Sequence, residues 1–217
     1  MQIPQNAKLL FIGDSITDCG RSRSTPASPW ETASPIGNGY VSFFKTLVEN
    51  ESPESKFRIL NRGVGGNTVR DLALRWQRDV IHLAPDWLFI KIGINDVWRQ
   101  FDSPRSPHVH VLLDEFETTY TELLKRTRPT LDRLFLITPY YLHTDTSDPM
   151  RARMDEYRKI VAQLSTKFDA TLIDTQRTFD DLMQHTDPLE LAEDRVHPGK
   201  TGHMAIAQAI HSTIKNS

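Results

Sequence analysis

The sequence predicts an α/β fold in which a parallel sheet carries helices on both faces. Three observations carry this expectation. Short apolar runs bounded by Gly, Pro, Asp or Asn recur along the chain. Segments of helical period separate them. The length, 217 residues, suits one domain of this class, and no linker, repeat or low-complexity tract divides it. Residues 1–217 are therefore expected to form a single domain.

The elements follow in order. Leu9-Leu10-Phe11-Ile12 is the first strand candidate, and residues 40–49 form the first helix candidate. A second strand is expected over 58–61 and a helix over 69–81, where Thr68 can cap and Asp71 suits the first turn. Strands over 87–92, 134–138 and 171–174 alternate with helices over 113–126, 150–168 and 175–184. A last helix is expected from about 200 to 214. Two longer connections, 19–39 and 102–110, are rich in Ser, Pro or Gly, and long loops in compact domains often serve function.

Composition narrows the function. Apolar residues make up 38% and charged residues 25%, enough for a real core. A net charge of −2 gives no electrostatic case for nucleic acid or an anionic membrane as partner. No stretch approaches a bilayer span, and the first residues do not read as a signal peptide. Cys19 is the only cysteine, so no intrachain disulfide can form. Together these features lead us to expect a cytoplasmic protein.

Ser15 follows the first strand candidate within Gly13-Asp14-Ser15, and Asp194-Arg195-Val196-His197 stands near the other end of the chain. A serine hydroxyl becomes a good nucleophile when a histidine takes its proton and a carboxylate holds that histidine. A serine after a strand can also simply cap a helix, and an isolated D-x-x-H is common. The turn Gly63-Val64-Gly65-Gly66-Asn67-Thr68 can aim an amide at an oxyanion, cradle a phosphate, or serve backbone geometry alone. Its match to G-x-G-x-x-G fails at Thr68, which disfavours a nucleotide site. Asn95-Asp96 after Gly93 reads as a turn signal, or as an amide able to donate to developing negative charge.

Taken in order, Gly13-Asp14-Ser15, Gly66, Gly93-x-Asn95-Asp96 and Asp194-x-x-His197 resemble the SGNH hydrolases, also called GDSL esterases. The resemblance implies a flavodoxin-like three-layer α/β/α sandwich with a five-stranded parallel sheet. It implies Ser15 as nucleophile, His197 as general base and Asp194 as its orienting acid. It implies an oxyanion hole from the Ser15 and Gly66 amides and the Asn95 side chain. Gly66 is preferred to Gly65 because Asn61…Gly66-Asn67-Thr68 matches the family's second block.

Residues 9–21, 66–72, 92–100 and 194–198 further resemble bacterial intracellular acetylxylan esterases of this family. That likeness implies an acetylated xylo-oligosaccharide, or another small ester, as substrate. The stretch 22–36 is the least family-like. A lysophospholipase or thioesterase with longer acyl groups, and a non-catalytic binding protein on the same fold, are the competing classes.

Three aromatics are candidates for a sugar site: Trp30, Trp98 and Tyr140. Trp76 lies in an amphipathic segment and reads as packing. His108 and His110 could share a strand face, but no third ligand is evident, so no metal and no cofactor are expected. Cys19 is a poorer nucleophile candidate than Ser15 and reads as a small apolar residue. Subunit number is not encoded in any motif, and a homo-oligomer is compatible with the sequence.

Overall fold

The computed structural model describes residues 3–23 and 34–216. Five parallel strands form one sheet: β1 (Lys8–Gly13), β2 (Arg58–Gly63), β3 (Trp87–Lys91), β4 (Arg133–Ile137) and β5 (Thr171–Ile173). Their spatial order is β2-β1-β3-β4-β5, with β3 at the centre between β1 and β4. Every residue of β3 is buried, as expected of a strand covered on both faces. In-register Phe11, Phe89 and Phe135 stack across β1, β3 and β4 with centroids 4.3 Å apart at each step. The five strand expectations therefore hold to within two residues at each end.

The longer helices fall into two groups. Helix α2 (Tyr40–Glu51) lays Phe44 against Phe11 and Phe89, and α9 (Lys200–Asn216) packs on α2. Helix α7 (Thr175–Leu182) joins α9. A second group comprises α3 (Val69–Trp76), α4 (Ile94–Asp102), α5 (Leu113–Thr127) and α6 (Pro149–Lys167), linked by the packing of α3 on α5, α5 on α6 and α4 on α6. Single turns α1 (Ser15–Asp18) and α8 (Pro188–Leu191) complete the set among the described residues.

Helix α3 starts where expected. Thr68 caps it through a reciprocal capping box with Asp71. The expected run to Ile81 continues past Trp76 as a π-helical turn, Gln77–Ile81. Helix α4 has no counterpart among the expected elements, because Asn95-Asp96 reads locally as a turn. Its apolar Ile94, Val97, Trp98 and Phe101 recur at helical spacing and carry the signal that the dipeptide obscures.

Candidate active site

The site forms at the carboxyl ends of β1, β2 and β3, where a serine, a glycine turn and an asparagine meet. Asp14 follows β1, and its Oδ1 accepts from Ile16 N at 2.9 Å, capping the single turn α1. Ser15 is the first residue of that turn. Gly13 is required just before it: a Cβ there would stand 2.1 Å from Lys91 O on the neighbouring strand.

Ser15 Oγ donates to His197 Nε2 at 2.8 Å, and His197 Nδ1–H donates to Asp194 Oδ2 at 2.6 Å. This direction follows because a carboxylate can only accept. Asp194 Oδ1 also accepts from the backbone of Val196 and His197, at 2.9 and 2.8 Å. Burial alone would raise the Asp194 pKa, but the hydrogen bonds from the His197 ring and from the His197 and Val196 amides outweigh it. The net value is below that of a free aspartate. The side chains of His197 and Asp194 keep 46% and 40% of their exposure, so solvent reaches the pair directly.

The Asp194–His197 turn is fixed from below. Arg195 sits in the left-handed region at φ 62°. Its carbonyl accepts from Leu142 N, and its guanidinium donates to Leu142 O. Tyr140 Oη donates to Val196 O at 3.0 Å. Tyr140 is fully buried, which corrects its assignment as a sugar-contact residue: the ring packs on Phe179 and cannot meet a substrate. Trp98 is only partly buried, and its ring centroid lies 5.7 Å from that of His197, beside the triad's opening. Trp30 and most of the 22–36 stretch lie outside the described residues.

The N–H groups of Ser15, Gly66 and Asn95 belong to three neighbouring segments of the site. Val64-Gly65-Gly66-Asn67 closes a turn through Asn67 N donating to Val64 O, with Gly66 at φ 78°, a conformation that favours glycine. A Cβ on Gly65 would be 3.9 Å from Ser15 Cβ, so the turn lies against the serine. Gly65 N–H is already committed to Asp18 Oδ2 at 3.3 Å. The amides of Gly66 and Ser15 have no acceptor among the described residues. Asn95 Nδ2 donates one proton to Asn67 O at 3.0 Å, and its second proton is uncommitted. Arg75 braces the same region, donating to Gly13 O, Arg62 O and Asn67 Oδ1.

Asp18 and Asp96 carry contacts the sequence reading did not single out. Their signal is an acidic residue adjoining each motif and then buried with it. Asp96 is fully buried. Burial pushes its pKa up to about 8, opposed by the Val69 amide and reinforced by Asp14 and Asp71. Arg70, Tyr120 and Tyr157 also lie within electrostatic reach. The folded value exceeds the unfolded one, so the folded chain holds an extra proton between about pH 4 and pH 8. Stability from this group is full below that window and falls as pH rises through it. Asp96→Asn is expected to flatten the slope by up to about 1.4 kcal/mol per pH unit. Urea titrations from pH 4.5 to pH 8.5 would read this, and parallel slopes in both proteins would refute it.

The remaining candidates separate from the site. Cys19 Sγ lies 3.4 Å from His203 Nε2, while His203 Nδ1 accepts from Tyr40 N. The ring therefore carries its proton on Nε2 and donates to sulfur. Burial first, then the Lys91 and His197 charges, lower the His203 pKa to about 4. Burial raises that of the Cys19 thiol, so the pair does not form an activated thiolate. His108 and His110 lie on or beside a 3₁₀ turn, Pro107–Val109, not on a strand. His110 Nε2 donates to Ser103 O. Among the described residues, no group of three or more His, Cys, Asp or Glu is placed to hold a metal ion. No described helix is long and apolar enough to cross a membrane.

A groove of about 580 Å³ borders the triad, lined by Leu189, Glu190, Leu191, Glu193, Asp194 and His197 among others. A larger one, about 650 Å³, follows the edge strand β2 and contains no triad residue.

The chain is similar to several known proteins. The model of the GDSL-like lipase/acylhydrolase family matches residues 11–205. An acetylxylan esterase of Geobacillus stearothermophilus is 45% identical over 209 residues, covering 96% of this chain and 94% of the relative. The solved structure of that esterase, Axe2, superposes with a TM-score of 0.93 at 44% identity, covering 99% and 96% of the two chains. LAE5, an α/β hydrolase from the metagenome of Lake Arreo, Spain, gives a TM-score of 0.93 at 41% identity, covering 98% and 97%. The catalytic mutants of Axe2 include changes at a serine, an aspartate and a histidine, the last two three residues apart.

Proposed function

The chain belongs to the GDSL-like lipase/acylhydrolase family, and from that premise we propose that it is a serine esterase removing O-acetyl groups from xylo-oligosaccharides. The continuous hydrogen-bonded series Ser15–His197–Asp194 carries the esterase part of this reading. The likeness to an acetylxylan esterase over 96% of the chain supports the substrate class. Residues 1–217 act as one domain, and the lone Cys19 suits a reducing cytoplasmic setting.

In this mechanism Ser15 Oγ attacks the acetyl carbonyl while its proton passes to His197 Nε2. Asp194 steadies the imidazolium through Nδ1–H. The carbonyl oxygen becomes an oxyanion and accepts from Ser15 N–H, Gly66 N–H and the second Asn95 Nδ2 proton. His197 then protonates the departing sugar oxygen, leaving an acetyl group on Ser15. Water, deprotonated by His197, attacks that ester, acetate leaves and Ser15 regains its proton. Trp98 offers an apolar face beside the histidine on which a sugar ring can rest. Glu190 and Glu193 give the adjoining groove a polar rim suited to hydroxyl groups rather than to a long alkyl chain.

The test is mass spectrometry of acetylated xylo-oligosaccharides before and after incubation, paired with kcat/KM for acetyl, butyryl and octanoyl esters. Loss of acetyl masses without backbone cleavage, with acetyl esters preferred, is the expected result. Octanoyl preference with no acetate released from sugars would transfer the site to a lipase or thioesterase.

A second expectation concerns metals. A histidine-activated serine needs no metal-bound water. Dialysis against a chelator should therefore leave kcat unchanged. Activity lost on chelation and restored by one divalent ion would contradict the mechanism.

A further inference from the structure

We propose that Asp96 is a positioning residue for the oxyanion hole, holding the Gly65–Gly66 turn at a fixed distance from Asn95. The inference rests on the esterase reading above. Asn95 and Asp96 are consecutive residues in the first turn of α4. Both reach across to the segment that leaves the glycine turn. Asn95 Nδ2 donates to Asn67 O at 3.0 Å, and Asp96 Oδ1 accepts from Val69 N at 2.9 Å. Two adjacent side chains thus grip the main chain at positions 67 and 69, immediately after the residue whose amide would meet the oxyanion.

The second bond is the less replaceable. Val69 is the first residue of α3, so its N–H has no acceptor within the helix. Thr68 does not supply one, because its Oγ1 accepts from Asp71 N. Val69 and Asp96 are both fully buried, so water cannot substitute for Asp96. Without that acceptor the buried N–H is left unsatisfied, and the turn can relieve it only by shifting. The other end of the turn is already pinned, through Gly65 N–H to Asp18 Oδ2. A shift at residue 69 therefore displaces Gly66 relative to Ser15 and Asn95. A misplacement of about 1 Å at reacting groups can cost on the order of 10²-fold in rate.

Burial also favours the uncharged form of this carboxyl. Its Oδ2 is buried with no hydrogen-bond partner, as is the Tyr120 hydroxyl. An amide in place of the acid keeps the acceptor for Val69 and adds no charge. Asp96→Asn is therefore the conservative replacement, and Asp96→Leu removes the acceptor at nearly the same shape. Val69→Pro removes the same bond from the donor side. Proline is favoured at a first helical position, and Thr68 before it is already extended, at φ −102° and ψ 175°.

The test is steady-state kinetics of the four single-chain forms and of the Asp96→Leu/Val69→Pro double variant on an acetyl ester. Circular dichroism and phosphonate labelling of Ser15 accompany each. Asp96→Leu is expected to lower kcat about 10- to 100-fold with KM within about threefold. Asp96→Asn should recover most of that loss. Val69→Pro should lower kcat similarly, and the double variant should be no worse than either single one, since both delete one tether. Should Asp96→Leu fail to fold, Val69→Pro and Asp96→Asn still decide the question. Near wild-type kcat in a folded Val69→Pro or Asp96→Leu variant would overturn the proposal. So would kcat losses that multiply in the double variant, or a loss expressed wholly in KM. A wild-type protein inert toward every ester would instead fail the esterase reading itself.

Discussion

Ser15→Ala is expected to keep the fold and lose nearly all turnover. The serine is the first residue of a single helical turn, and its side chain makes one described bond, to His197 Nε2. Alanine retains the Cβ and suits a helix, so the packing around Gly13 and Asp14 is undisturbed. Nothing nearby can take over the attack. Cys19 is the only thiol in the sequence, but it faces His203 rather than His197 and has a raised pKa. Related triads that lose a member retain roughly 10³–10⁴-fold catalysis over water through the oxyanion hole and binding. A small residue should therefore persist above the uncatalysed rate. The measurement is kcat on an acetyl ester with purified Ser15→Ala, alongside its thermal transition. Wild-type-like turnover would remove Ser15 from the mechanism.

Asn95→Ala carries the second-largest expected effect: a fall of about 10²–10³ in kcat with little change in KM. The amide meets the carbonyl oxygen most strongly once it bears negative charge, so its removal acts on the transition state. The same Nδ2 also holds Asn67 O, so part of the loss should come from the loosened turn. A tetrahedral boronate separates the two contributions, since it presents the charged geometry at equilibrium. Its affinity should fall in parallel with kcat. Unchanged kcat with weakened substrate binding would make Asn95 a ground-state contact instead.

The sheet was legible because its strands announce themselves. Leu9-Leu10-Phe11-Ile12 is an apolar run that breaks at Gly13, and β3 repeats the pattern before Gly93. The triad residues were legible as types and order, while their meeting required the fold, because 182 residues separate Ser15 from His197. Helix α4 was hidden because two strong turn formers occupy its first turn. Tyr140 misled for a different reason. Its place after a strand end suggested the mouth of the site, but the loop folds inward and uses the hydroxyl to hold Val196. The choice of Gly66 over Gly65 was made by matching blocks. The commitment of Gly65 N–H to Asp18 Oδ2 is a tertiary bond that no local pattern announces. Asp96 lay in plain view, but its tether to Val69 is a tertiary bond spanning 27 positions and leaves no periodic trace.

The distance along the chain between the serine and its histidine has a consequence for biosynthesis. The whole stretch from Ser15 to His197 must leave the ribosome before the two can meet, and α9, which packs on α2, follows it. Under the proposed mechanism, chains that end before His197 are expected to be hydrolytically silent, however well their early strands have paired. Ester cleavage by nascent or C-terminally truncated chains would be the contrary finding. During refolding, turnover should rise only with the final docking step, which makes catalysis a clock for completion of the fold.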